Sequence, residues 1–155
     1  MTIRVMTIKD YDAVYALWLS CTGMGLNNLD DSREGIARYL RRNPDTCFVA
    51  LEGDTVIGVI LSGHDGRRGY IHHTAVHPAH RGQGIGSSLV EASLLALGRE
   101  GINKVALVVF ERNSGGNAFW EKMGFTARDD ITYRNKALLQ DARNGDDRYF
   151  TEQLP

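Results

Sequence analysis

The stretch Tyr70-Ile71-His72-His73-Thr74-Ala75-Val76-His77-Pro78-Ala79-His80-Arg81-Gly82-Gln83-Gly84-Ile85-Gly86-Ser87-Ser88-Leu89 decides how this chain is read. Its first part is rich in β-branched and aromatic residues and stops at Pro78, which predicts a strand. From Ile85 onward, Leu89, Ala92 or Ser93, Ala96 and Leu97 recur at helical spacing. Between the two lies Arg81-Gly82-Gln83-Gly84-Ile85-Gly86. Glycines just ahead of a helix bring bare backbone to a point where unpaired N–H groups and a partial positive charge converge. A phosphate can rest directly on such a turn, with the hydroxyls of Ser87 and Ser88 as further donors.

Three explanations compete for the turn. The glycines could serve a tight structural loop alone. A dinucleotide site fits poorly, because the glycines fall as G-x-G-x-G and lie in mid-chain rather than in a first βα unit. A Walker turn fails because no Lys-Ser or Lys-Thr follows. The third explanation is the pyrophosphate of coenzyme A. Arg81-x-x-Gly84-x-Gly86, behind a strand ending Ala75-Val76-His77-Pro78, resembles the acyl-CoA signature of the GNAT N-acetyltransferase superfamily. The likeness runs from Ile3 to Leu138, nearly the whole chain, and residues 65–78 are most similar to small bacterial members of unknown acceptor.

Composition agrees with a single soluble domain. The chain has 155 residues, 43% hydrophobic and 24% charged, enough to bury a real core. A formal net charge of −1, with no Lys/Arg block, argues against a nucleic-acid partner. The sequence shows no signal-peptide h-region and no run of membrane-spanning length, so no membrane is expected and a cytoplasmic location follows by elimination. Cys21 and Cys47 are too few for a disulfide framework and are expected as reduced thiols among apolar residues.

Around the central stretch the elements fall in order. Residues 2–8 alternate as a strand. Asp10 can cap a helix whose Val14, Leu17, Trp18 and Cys21 share one face. Residues 22–30 form a loop, and Asp31 with Glu34 resembles a capping box for a short helix ended by Pro44. Residues 46–51 and 55–62 predict a hairpin around Glu52-Gly53-Asp54. The apolar run 104–110 predicts a strand buried on both faces. A helix over 113–123 ends at Gly124, and 125–128 with 131–137 predict a closing hairpin. The order β-α-α-β-β-β-α-β-α-β-β matches the GNAT fold. The expected architecture is α/β: a mixed, mostly antiparallel sheet of about seven strands flanked by about four helices. Residues 1–139 form the domain, and 140–155 a polar tail in which Tyr149 and Phe150 could dock on the body or on a partner subunit.

The resemblance implies a chemistry. Acetyl-CoA is the co-substrate, no metal takes part, and a primary amine, on a small molecule or a protein, accepts the acetyl group. A homodimer is compatible with the family. The strand at 70–76 is expected to splay from the strand at 104–110, so that pantetheine pairs with backbone at Ala75 and Val76. A backbone N–H there, of Ala75 or Val76, would polarise the thioester oxygen. N–H groups of Gly82, Gln83, Gly84, Ile85, Gly86 and Ser87 would hold the pyrophosphate, with the Arg81 and Gln83 side chains beside it; Arg81 as a plain surface cation is the alternative. Asn113 would bond the pantetheine arm or simply cap its helix.

Phe119 and Trp120 would line the tunnel. Trp120 departs from the family pattern, because many members carry there a Tyr that protonates the leaving thiolate. An indole N–H donates a hydrogen bond but supplies no proton near neutral pH, and Tyr133 is a possible substitute. If the CoA thiol resembles a cysteine, at about 8.5, the thiolate can also leave unassisted. For the base, relatives often place Glu on the strand that here carries His72 and His73. Strand alternation would send these neighbours to opposite faces, and parity with position 70 favours His72. The acceptor wall would come from residues 22–31 and the last hairpin. The rival is a non-catalytic acyl-CoA-binding sensor domain, favoured by Trp120 and by the missing Glu.

Overall fold

The structure, a computed structural model, describes residues 1–139; the expectations for 140–155 lie outside the described residues. Its centre is a sheet in the order β1 (Thr2–Val5), β2 (Phe48–Glu52), β3 (Thr55–His64), β4 (Gly69–Val76) and β5 (Val105–Ala106). β1 to β4 pair antiparallel with their neighbours, and β5 runs parallel to β4. A parallel neighbour requires a crossover, and α3 (Ile85–Arg99) supplies it. β3 is buried over most of its length because helices cover both faces.

α1 (Tyr11–Ser20) buries Val14, Leu17 and Trp18, the stripe predicted by period. With Ile36 and Leu40 of α2 (Arg33–Arg42), it closes one core against Cys47, Val49, Val59, Leu61 and Ala75. On the other face Ile85, Leu89 and Val90 of α3 pack on Ala50, Ile57, Ile60 and Ile71. Gly58 allows this approach: a Cβ there would lie 3.0 Å from Leu89 Cδ1 and 3.1 Å from Ile85 Cγ2. α4 (Ser114–Lys122) rests on this second core through Phe119 and Trp120 and buries no residue fully.

Four expectations need correction. α2 is capped by Ser32, whose Oγ accepts from Gly35 N at 3.0 Å, one residue beyond the expected Asp31. Asp31 is engaged elsewhere. The first strand ends at Val5 rather than residue 8, because Ile8–Asp10 turns into a short 3-10 segment. The strand expected over 104–110 forms a ladder only at Val105 and Ala106, opposite Gly69 and Tyr70. The hairpin expected over 125–137 does not form among the described residues, leaving five strands rather than about seven. A two-rung edge offers no template for further strands, and Ile131 and Tyr133 remain 65% and 59% exposed. Among the described residues, no helix is long and apolar enough to cross a membrane.

Candidate active site

β4 and β5 part after Tyr70 and Ala106. Beyond that point β4 pairs only with β3 among the described residues. This is the splay expected from the resemblance. His77 N donates to Ile57 O at 2.8 Å, so the His77 N–H points toward β3. Successive strand N–H groups alternate in direction. The Val76 N–H therefore faces the gap, and the Ala75 N–H faces β3. Of the two expected oxyanion donors, only Val76 is aimed at the open side.

After Pro78–His80, a 3-10 segment, the chain enters the glycine turn. Gly82 has φ +77° and Gly84 φ +80°, both left-handed, and a Cβ at either would meet nothing within 4 Å. The turn is thus open on the outside. Gly84 is the N-cap of α3 and offers no side-chain acceptor, so the first N–H groups of the helix are left for an outside acceptor. Ser88 Oγ donates back to Gly84 O at 3.0 Å, which leaves Ser87 as the first-turn hydroxyl without a partner among the described residues. Arg81 Nε donates to Val76 O at 3.2 Å and so ties the turn to the end of β4. Gln83 is exposed beside it. A Cβ on Gly86 would lie 3.3 Å from the Phe119 ring, so this glycine lets α4 close against the start of α3. Phe119 and Trp120 meet edge-on at 5.0 Å, and Trp120 meets Phe125 at 5.2 Å. Asn113 Oδ1 accepts from Gly116 N at 2.8 Å, the helix cap that sequence allowed.

The acceptor side is organised by a bulge. Val59 pairs with Ala75 and Leu61 with His72, so His73 and Thr74 oppose the single residue Ile60. His73 has φ +40°, a left-handed backbone that a non-glycine residue seldom adopts. Its carbonyl is turned out to accept from Trp18 Nε1 at 3.3 Å. The bulge cancels the alternation expected for the two histidines. His73 packs against Trp18, at 5.2 Å, and His72 against Tyr39, at 5.8 Å, so both rings face α1 and α2.

His72 also lies 4.5 Å from the Tyr70 ring. Protein crowded around His72 opposes its charged form, and His73 adds to this, so its pKa falls below the ordinary imidazole range. His72 as a residue is nevertheless exposed, and solvent limits the fall. Burial, and secondarily Tyr133 nearby, raises the Tyr70 pKa. Tyr133 lies on no strand and is largely exposed. The Tyr39 hydroxyl is buried without a hydrogen-bond partner among the described residues, and burial followed by neighbouring Cys47 pushes its pKa up.

Sequence reasoning treated Asp31 as a helix start or an acceptor-loop charge. In the structure it is 5% exposed, with Oδ1 2.9 Å from His73 Nε2 and Oδ2 accepting from Asn27 N at 2.6 Å. The two residues are 42 apart in the chain, and no local pattern announces the pair.

A mixed sheet splayed at its parallel edge, with bare N–H groups at the end of the gap, defines an acyl-CoA transferase type of site. The chain belongs to the acetyltransferase (GNAT) family, whose model matches residues 11–125. It is 33% identical over 141 residues to an acetyltransferase of Sodalis glossinidius (strain morsitans), covering 91% of this chain and 98% of the relative. An acetyltransferase of Pectobacterium atrosepticum shows the same identity and coverage. Among solved structures, Ard1 from Thermoplasma volcanium superposes with a TM-score of 0.72 at 25% identity, covering 81% of this chain and 82% of that one. The PaiA N-acetyltransferase of Thermoplasma acidophilum in complex with coenzyme A gives 0.71 at 20% identity, covering 84% and 92%, a likeness of fold.

Proposed function

We propose that this chain transfers an acetyl group from acetyl-CoA to a primary amine. The observation that carries the proposal is the splay itself. It leaves the Val76 N–H facing a gap between strands, continuous with an uncapped helix N-terminus. A thioester lying in that gap would place its oxygen against a fixed donor while its pyrophosphate rests on the glycine turn. The N–H groups from Gly82 through Ser87 take the phosphates, and the Arg81 and Gln83 side chains lie alongside. Asn113 keeps its Nδ2 for the pantetheine arm, and Phe119 and Trp120 wall the acyl end.

Proton removal falls to an imidazole of β4, where His72, the residue favoured by sequence, and His73 share the acceptor face. Tyr133, the phenol that can substitute for the Tyr missing at position 120, is the candidate proton source for the departing thiolate. We place the protein in the cytoplasm, as a monomer or homodimer, with an amine of small-molecule or protein origin as acceptor.

The test is release of CoA thiol from acetyl-CoA over a panel: phenethylamine, lysine, spermidine and a peptide with a free N-terminus. Turnover with any of them, with the acetylated amine confirmed by mass, supports the proposal. A second reading, an acyl-CoA sensor, is favoured by Trp120 standing where many relatives carry the acid Tyr. Tight CoA binding by calorimetry with no turnover on any amine would establish the sensor and end the enzyme reading.

A further inference from the structure

His73 is held from several sides. Its Nε2 lies 2.9 Å from Asp31 Oδ1, its ring packs edge-on against Trp18 at 5.2 Å, and its carbonyl accepts from Trp18 Nε1. Asp31 is itself fixed: Asn27 N donates to its other oxygen at 2.6 Å, and Tyr11 Oη donates to its carbonyl at 2.7 Å. The His73 backbone at φ +40° is one that a non-glycine residue keeps only when its surroundings impose it, and such residues cluster where chemistry is done. The side chain is 21% exposed, so it is anchored yet reachable.

From this we infer that His73, oriented by the buried Asp31, accepts the proton of the acceptor amine, while His72 forms part of the aromatic wall. The inference rests on the acetyltransferase reading above. A carboxylate on Nε2 keeps the proton there and leaves the Nδ1 lone pair toward substrate, and it stabilises the imidazolium once formed. Among the described residues His72 has no such partner. Its neighbours are the Tyr39 and Tyr70 rings, with His73 at 6.4 Å. The other titratable groups around the pair are Tyr11 and Tyr15 of α1, which lie beside Trp18 or Asp31, and Arg33, whose guanidinium stacks on Tyr11 at 5.1 Å and pairs with Asp12.

One ammonium proton moves to His73 Nδ1, and the freed lone pair forms the C–N bond at the thioester carbon. The carbonyl electrons move onto oxygen beside the Val76 N–H, then return and break the C–S bond, and the sulfur keeps that pair. The thiolate takes the Tyr133 hydroxyl proton, the second proton on nitrogen restores that hydroxyl, and His73 returns its proton to water. The products are the amide and CoA thiol.

The test uses His73→Gly, because glycine suits the left-handed backbone and the fold is retained. With the fastest amine of the panel, turnover is expected to fall about 10²–10⁴-fold. CoA affinity by calorimetry and the KM for acetyl-CoA stay at the wild-type values. Hydroxylamine, neutral at pH 7.5 and needing no base, is acetylated by wild type and variant alike. Added imidazole restores amine turnover to His73→Gly and not to His72→Gly. Asp31→Asn lowers kcat at constant KM, and Asp31→Glu recovers part of it. In the ¹⁵N spectrum of the wild type at neutral pH, the His73 proton sits on Nε2.

Equal losses toward the amine and hydroxylamine, imidazole rescue of His72→Gly instead, or a proton found on Nδ1 would each overturn the dyad and leave the acetyltransferase reading standing. A wild-type chain that binds no CoA and acetylates neither amine nor hydroxylamine would overturn both.

Discussion

Placing a carboxylate at Ser87 should move stability and cofactor affinity in opposite directions. Gly84 is the N-cap of α3, so Ser87 is its third helical residue. An acidic side chain in a first turn interacts favourably with the helix dipole, by about 0.3–1 kcal/mol. α3 has no acidic residue in its first turn, so Ser87→Asp is expected to stabilise the free protein by that amount. For a domain of this size that is a rise in Tm of about 1–4 °C. The same carboxylate would face the CoA pyrophosphate. Losing one charge-assisted hydrogen bond costs about 1.5–3 kcal/mol, or about 10–150-fold in Kd, and like-charge repulsion adds to this. Calorimetry of CoA binding at low and moderate salt, with a thermal melt of the free variant, reads both signs. A raised Tm with unchanged Kd would refute the phosphate assignment of the turn. A fall in both would show that Ser87 matters to the fold instead.

Three further outcomes are expected. Gly84→Ala forces an L side chain to φ +80° and is expected to destabilise by about 1–2 kcal/mol although its Cβ meets no neighbour, as read by urea denaturation. Trp120→Tyr is expected to leave kcat unchanged or raise it, to raise the KM for acetyl-CoA as its edge contacts with Phe119 and Phe125 loosen, and to improve use of propionyl-CoA; steady-state rates with both thioesters check this. Asp10→Asn breaks the paired bonds from Arg4, both 2.8 Å, and the bond from Thr7 N, at a cost of about 1.5–3 kcal/mol at neutral pH. The Arg4 hydrogen bonds hold the Asp10 pKa below its ordinary 3.8, so the wild type carries this advantage above about pH 4 and loses it as pH falls further through the folded value. Melts of both proteins should therefore converge in acid.

What could be read in the sequence was what local pattern enforces. The stripe Val14, Leu17 and Trp18 repeats at helical spacing, and nothing competes with that reading. The glycines at 82 and 84 signalled bare backbone ahead of a helix, and the structure leaves both open on the outside; their left-handed φ was not announced. The bulge at His73 was hidden, because its anchors, Trp18 and Asp31, lie 55 and 42 residues away. Strand parity was then the best available guide to His72 and His73, and it failed where one residue was added to the pleat. The start of α2 slipped by one position because Asp31 and Ser32 both have capping side chains, and His73 draws Asp31 away. The run 104–110 is apolar enough for a buried strand, yet a ladder also needs a partner alongside, and β4 diverges after Tyr70.

The two-rung junction of β4 and β5 also bears on how the protein comes apart. Among the described residues, 107–139 are joined to the sheet by few main-chain bonds, and α4 leans on the core through partly covered rings. Local opening there costs less than opening of the antiparallel strands, so amides after 106 should exchange with deuterium sooner than those of β2 and β3. A substrate that pairs with the bare edge of β4 and spans to the far side would close that gap and bind only the closed form. Acetyl-CoA would then slow exchange and proteolytic cleavage across residues 106–125 by mass action, including at positions it does not touch. On that view the substrate is the missing strand of the sheet, and residues 106–125 gain their full cohesion only while the site is loaded.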